Sequence, residues 1–139
     1  NKAHDGYLGD SVIGEWCNLG ADTNNSNLKN NYGEVKAYNY TQQKMIGTGL
    51  QFCGLVMGDH GKAGINTMFN TGTVAGVNAN IFGGGFPPVH IPSFAWGGSD
   101  KMDTYEFGKA MEVAQRVMER RNVPLTDADR KILKKISEE

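Results

Sequence analysis

The side chains of this 139-residue chain best suited to proton transfer, metal binding or nucleophilic attack are His4, His60 and His90, with Cys17 and Cys53. His4 opens a polar run, His4-Asp5-Gly6-Tyr7-Leu8-Gly9-Asp10. A histidine ordinarily titrates near neutrality and can take a proton from an attacking nucleophile, and Asp5 or Asp10 could orient it. An oxyanion formed in such an attack needs an N–H donor, for which the Asn27 amide and the backbone of glycine corners are candidates. His60, in Asp59-His60-Gly61-Lys62, reads as a corner residue. His90 follows Phe86-Pro87-Pro88-Val89 and reads as part of a crossover to the C-terminal region. The nearest histidines in sequence, His60 and His90, are 30 residues apart, so no metal site is expected. Two cysteines without a CxxC or Cys/His cluster exclude a disulfide scaffold and a zinc knuckle, and Cys17 reads as a small core residue. Gly83-Gly84-Gly85 lacks the strand–GxGxxG–helix setting of a dinucleotide site.

Composition bounds what could position these groups. The net charge is −1, which recruits neither nucleic acid nor an anionic membrane surface. No apolar run is long enough to cross a membrane and no signal-peptide pattern opens the chain, so a reduced, cytoplasmic setting is expected. A chain opening on Asn1 without methionine is expected to be part of a longer protein. Charge is unevenly spread: residues 1–100 hold five Lys/Arg and seven Asp/Glu, and residues 101–139 hold nine and eight. Eighteen of the 19 glycines precede residue 101. Two architectures therefore meet near the Pro- and Gly-rich stretch 83–102.

The glycine-rich part has a period of six. Tyr7, Ile13 and Leu19 share one position of a hexad, and Ser11, Cys17 and Thr23 stand four residues after them. The frame returns at Ile46 and Phe52, then drops one residue and continues through Met57, Ala63, Phe69 and Ala75. Seven of the nine residues at the fourth position on are Ser, Thr, Ala, Cys or Gly. Six residues make a short strand and a corner, and three such units make a coil of about eighteen residues. The aliphatic residue and the small residue point inward, and Gly or Asn, often directly after the aliphatic one, takes the tight turn. About three coils result, over residues 1–82, interrupted by a loop at 24–45 rich in asparagine and tyrosine. That loop reads as one that packs on a neighbour or covers a site. So short a stack is expected to lack upstream coils, to share its sides with other copies, or both.

Residues 103–139 read as a helical tail. Asp103 and Glu106 have capping-box spacing, Phe107, Met111, Ala114 and Met118 form one helical face, and Pro124 ends the segment. Thr126 with Asp129 starts a second helix carrying Ile132, Leu133 and Ile136. The Arg120–Arg121 pair suits a helix C-terminus and a solvated face.

These hexads resemble the left-handed parallel β-helix of the hexapeptide-repeat acyltransferases. The run His4 to Asp10, followed by Ile13-Gly14 and Asn18-Leu19-Gly20-Ala21, is similar to the acetyltransferase half of the bifunctional bacterial N-acetylglucosamine-1-phosphate uridyltransferase/glucosamine-1-phosphate acetyltransferases. The overall likeness is to a divergent branch of sugar nucleotidyltransferases in which a nucleotidyltransferase domain precedes such a β-helix. The resemblance implies an acetyl-CoA-dependent N-acetyltransferase acting on an amino-sugar phosphate, glucosamine 1-phosphate above all, and assembled as a homotrimer with its sites between neighbouring prisms. It implies that His4 is the general base and that Asn27 stands beside the reacting centre. Tyr7 and Asn18 would hold the sugar phosphate, with Lys2 near the phosphate-binding lysine region. Ala21, Gly54 and Thr71 would contact coenzyme A.

Leu28 stands where that family has a tyrosine, and Asp22 where it has a glycine. These departures motivate a rival expectation, a trimerising and regulatory module whose pocket has decayed. The nucleotidyltransferase signature, a Gly-rich loop with Arg and Lys for a triphosphate, is absent from this chain, so that activity would belong to an upstream domain of the parent protein.

Overall fold

The computed structural model describes residues 2–139. Its glycine-rich part consists of very short strands in three parallel stacks. One stack joins β1 (Val12–Ile13), β6 (Val56–Met57), β9 (Val74–Ala75) and β11 (His90–Ile91). A second joins β2 (Asn18–Leu19), β7 (Lys62–Ala63), β10 (Asn80–Ile81) and β12 (Ala95–Gly97), with β13 (Met102–Thr104) added antiparallel at its end. The third pairs β3 (Asn24–Asn25) with β8 (Met68–Phe69). The chain visits the three stacks in rotation twice and then the first two twice more, an order compatible with a β-helix. Its registers align Ile13, Met57, Ala75 and Ile91 in one row, and Leu19, Ala63, Ile81 and Gly97 in another.

The aliphatic position of the hexad faces inward, as its periodicity implies. Met57, Ala63, Phe69, Ala75, Ile81 and Ile91 are buried in one core, with Ile13 and Leu19 packed against it. The small residue two positions before each also points in, and its hydroxyl has a specific task. Thr23, Thr67 and Thr73, all buried, donate to the carbonyls of Gly20, Gly64 and Asn70, 2.6–2.7 Å away and three residues earlier in each case. Each hydroxyl thus adds a hydrogen bond that closes its own corner; at Gly20 and Asn70 the carbonyl also accepts the threonine N–H, at 3.1 and 3.2 Å.

The turning residue is not the one expected. Gly14, Gly20, Gly58 and Gly76, directly after the inward aliphatic positions, have ordinary negative φ. They are small because the next coil passes against them: a Cβ on Gly20 would lie 2.6 Å from Ile65 N and 2.7 Å from Gly64 C. The left-handed residue comes two positions later, at Trp16, Asp22, His60, Asn66 and Asn78, with φ between 55° and 62°. Asp and Asn tolerate this region through local hydrogen bonds, whereas Trp16 and, at φ 56°, Phe94 are held in it by the surrounding coils.

The repeat also has a different interruption from the one the hexads suggested. Ile46 is not in the coil; it lies in β5 (Lys44–Gly47), which pairs antiparallel with β4 (Lys36–Asn39) in a hairpin. Phe52 forms an isolated antiparallel bridge with Leu28, and Tyr7 is exposed. Asn24 and Asn25 belong to coil strand β3, so the excursion begins after them and rejoins the stack near Cys53. Its two ends touch, the Cys53 N–H donating to the Asn27 carbonyl at 3.0 Å. The hairpin packs on its own chain: Tyr38 stacks on His90 at 3.5 Å between ring centroids and 6° between planes. His90 is therefore a residue of the first stack and not of a crossover. The stretch 83–102 continues the coil through β11 and β12.

Asp103 lies in β13, and Glu106 alone caps helix α1 (Phe107–Glu119), its carboxylate accepting from the N–H groups of Gly108 and Lys109 at 2.8 Å. Ala110, Met111, Ala114 and Met118 are its buried face. Thr126 and Asp129 form the expected capping box of α2 (Asp127–Ser137). Phe94, Tyr105, Met111 and Leu133 share a second core that fastens the helices to the stack.

Candidate functional site

The expected site residues separate into two places on the described chain. His4 is exposed and lines an open groove of about 420 Å³ together with Lys2, Leu8, Trp16 and Asn18. The groove lies on the first coil, where the inward residues Ile13, Cys17 and Leu19 also line it beside Asn18. Lys2 is anchored: its ammonium donates to the carbonyls of His4, Asp5 and Gly6, at 2.9 Å in the last case, and so shapes the turn that carries the imidazole.

Tyr7 and Asn27 meet elsewhere. The Asn27 amide donates to the Tyr7 hydroxyl at 2.9 Å and to the Asp10 carboxylate at 2.6 Å. Asp10 therefore orients Asn27. Neither Tyr7 nor Asn27 lines the His4 groove. Their neighbour Asn25 was not foreseen as important. It occupies an inward position of the hexad, where an aliphatic residue is the rule, and is buried. Its side-chain amide accepts from Gly9 N–H at 2.8 Å and donates to Gly9 C=O at 2.9 Å, pairing like a strand backbone with a segment that has no strand of its own. The second asparagine of Thr23-Asn24-Asn25, at an inward hexad position, was the available signal.

The residues expected to contact the acyl donor differ among themselves. Ala21 is exposed at a corner, its carbonyl accepting from Asn66 N–H in the next coil at 2.9 Å. Gly54 is buried with its N–H on Asp10 C=O at 2.7 Å, and even a Cβ there would strike Asn25 and Ser11. Thr71 is buried and donates to the Ser26 hydroxyl at 2.7 Å. Gly54 and Thr71 thus serve the walls between coils, and Ala21 alone of the three faces outward. Asp22 takes a left-handed corner with its carboxylate accepting from the Asn24 amide at 3.2 Å.

The other reactive side chains are structural by position. Burial raises the pKa of the Cys17 thiol, which donates to Gly58 C=O at 3.2 Å, so it is disfavoured as a thiolate nucleophile. His60 is buried at a corner, and desolvation first, then Lys62, pushes its pKa below the usual histidine range. Among the described residues no three His, Cys, Asp or Glu side chains gather as a metal-holding group, and no helix is long and apolar enough to cross a membrane.

No protein-family model matches the chain. Three curated proteins do. It is 37% identical over 78 residues to the "Bifunctional protein GlmU" of Methanocaldococcus jannaschii, covering 56% of this chain and 18% of that protein. It is 38% identical over 81 residues to the "Bifunctional sugar-1-phosphate nucleotidylyltransferase/acetyltransferase" of Sulfurisphaera tokodaii, covering 58% and 20%. A "Bifunctional protein GlmU" of Methanococcus aeolicus is 35% identical over 78 residues, 56% of this chain and 18% of its own length. The matched segment spans about a fifth of the length of these relatives. They bear out the resemblance read from the hexads: over more than half its length the chain is related to bifunctional sugar-1-phosphate nucleotidylyltransferase/acetyltransferases, through the likeness to their acetyltransferase half.

Proposed function

We propose that this chain is a left-handed β-helix that transfers an acetyl group from acetyl-CoA to the amine of an amino-sugar phosphate, glucosamine 1-phosphate being the preferred acceptor. It would act as the C-terminal part of a protein whose upstream domain is a sugar-1-phosphate nucleotidyltransferase. The observation that carries the reading is the exposed His4 imidazole, facing an open groove beside Asn18, in a chain related to acetyltransferase-containing proteins.

An ammonium has no lone pair with which to attack a thioester. Once the ammonium has lost its proton to solvent, the free amine attacks the acyl carbon as His4 takes a second proton from its nitrogen, and the C–S bond breaks as the tetrahedral oxyanion collapses. The proton held by His4 then passes to the leaving thiolate. General-base catalysis of this kind contributes about 10²–10⁴-fold. Asn27 would serve as the oxyanion's amide donor by giving up the Tyr7 hydroxyl as partner, its bond to Asp10 fixing its direction. Because Asn27 and His4 line different parts of one chain, the reading requires the two to meet across copies, in a homotrimer whose sites lie between neighbouring stacks. Lys2 would act by holding the His4 turn, and Tyr7 and Asn18 by hydrogen bonds to the sugar phosphate. Ala21 would meet the acyl donor at its exposed corner, over walls that Gly54 and Thr71 keep narrow.

The test is thiol release from acetyl-CoA with glucosamine 1-phosphate, comparing the full-length protein with its His4→Ala variant. Turnover should fall by about 100-fold or more. Unchanged turnover removes His4 from the mechanism. One observation favours a second reading, a trimerising and regulatory module with a decayed pocket: Gly54 and Thr71 are buried, and Asp22 and Leu28 are used within the fold. Saturable acetyl-CoA binding by the folded protein separates the two, since a scaffold has no use for a donor groove.

A further inference from the structure

Beside the His4 groove, and sharing Trp16, Cys17 and Asn18 with it, runs a second groove of about 430 Å³ between the outer side of the coils and the end of α1. Its charged residues are Lys62, Arg120 and Arg121, and no Asp or Glu lines either groove. This is a strong local bias in a chain whose net charge is −1. The three cations are not spent on carboxylates: the ion pairs among the described residues are Lys101–Asp103 and Lys134–Glu138. Lys62 is half-buried and fixed, donating to the Trp16 carbonyl at 2.8 Å and the His60 carbonyl at 2.9 Å. Two of its three ammonium protons are thereby used and one remains. The two arginines come from a separate element, just past the last turn of α1, and are exposed.

We propose that this groove is a subsite for the phosphate of a small phosphomonoester, with Lys62 as its fixed floor and Arg120 and Arg121 closing on it from the helix. Arginine forks match phosphate oxygens in pairs, and a lysine supplies a point charge. The near-neutral chain and the small groove favour a single phosphate group over a polyanion. The subsite lies on a different part of the chain from Tyr7 and Asn27, and it does not depend on His4 acting as a base. Arginines placed only to offset the carbonyl end of α1 would need no groove and would have no ligand dependence.

Phenylglyoxal modification, read peptide by peptide by mass spectrometry, tests this on the intact protein, because the chain holds four arginines: Arg116, Arg120, Arg121 and Arg130. Glucosamine 1-phosphate should slow modification of Arg120 and Arg121 by the factor 1 + [L]/Kd, about tenfold when the ligand is at about ten times its Kd. Arg116 and Arg130 should react at unchanged rates. Unphosphorylated glucosamine should protect nothing. AMP and inorganic phosphate run alongside distinguish a sugar phosphate from a nucleotide or free phosphate as the source. Lys62→Met should remove the protection and His4→Ala should leave it intact, whatever either does to turnover. Equal rates with and without every phosphate probe, or protection of all four arginines alike, overturns the proposal.

Discussion

Replacing Gly20 by alanine isolates the packing of one coil on the next. The backbone there is not left-handed, so the substitution brings no φ penalty. In the unfolded chain it removes conformational freedom, which alone would stabilise the protein by about 0.4–1 kcal/mol. Against this, the new methyl would sit 2.6 Å from Ile65 N, 2.7 Å from Gly64 C and 3.0 Å from Ala63 O, all backbone atoms of the neighbouring coil. None can swing aside as a flexible side chain would, so the coils must part. Overpacking of this kind costs about 1–3 kcal/mol or somewhat more, leaving a net loss of about 2 kcal/mol. At about 3–5 °C per kcal/mol for a chain of this size, Tm should fall by about 6–10 °C. Gly84→Ala is the control, since a Cβ there meets nothing within 4 Å and φ is again ordinary. It should match or slightly exceed the parent in stability. Thermal unfolding followed by far-UV circular dichroism reads both variants. Equal Tm values would mean that the coils do not approach as closely as described, and the argument for the glycines would fail.

Three further outcomes are expected. Asn25→Ala strands the Gly9 N–H, while the Gly9 C=O keeps the Ser11 hydroxyl, and should cost about 1–3 kcal/mol in urea denaturation; a loss under 0.5 kcal/mol would refute the amide's strand-like role. Tyr38→Ala removes the stack on His90, worth about 0.5–1.5 kcal/mol, and should speed hydrogen exchange in β4 and β5 while leaving β7 and β10 protected. Burial holds His60 and His90 below the usual histidine pKa, so the folded protein prefers both neutral. As pH falls through about 6.5 the unfolded chain takes up protons first, and stability should decline from there toward the lowered folded values. His60→Asn, which suits a left-handed corner, should flatten that decline in Tm measured between pH 8 and 5.

The repeat is legible because its physics is local: an inward aliphatic residue every six positions, with a small residue two before it, leaves a periodic trace in the sequence. The true turning position was hidden because two different demands call for small residues. Gly20 and Gly76 look like turn glycines, yet they mark close approach, while the turns fall to Asp22 and Asn78. The excursion was misjudged because Ile46-Gly47 and Phe52 imitate the hexad by spacing alone. Only their antiparallel partners, Ala37, Lys36 and Leu28, reveal another structure, and pairing across such distances leaves no periodic trace. Asp103 and Glu106 have capping-box spacing, but strand β12 captured Asp103 first. The site shows the same division. The family likeness points to His4 and Asn18, which share a groove, whereas the Asn27–Tyr7–Asp10 contact depends on where the chain turns out of β3. The groove facing Arg120 and Arg121 depends on how α1 lies along the coils.

The meeting of the Asn27 carbonyl and the Cys53 N–H makes the segment between them an appendage closed at its base. Both ends leave the stack at one hydrogen bond, and inside the segment buried Val35 against Gly72 and Tyr38 on His90 hold it down, so the residues beyond these contacts could be shortened or exchanged with the coils keeping their register. Lengthening a closed loop costs only about 0.6 kcal/mol for each doubling. Such a socket lets the stacked strands stay constant while the piece plugged into it changes, and the surface it shades, around His90, can be refitted without rebuilding the scaffold.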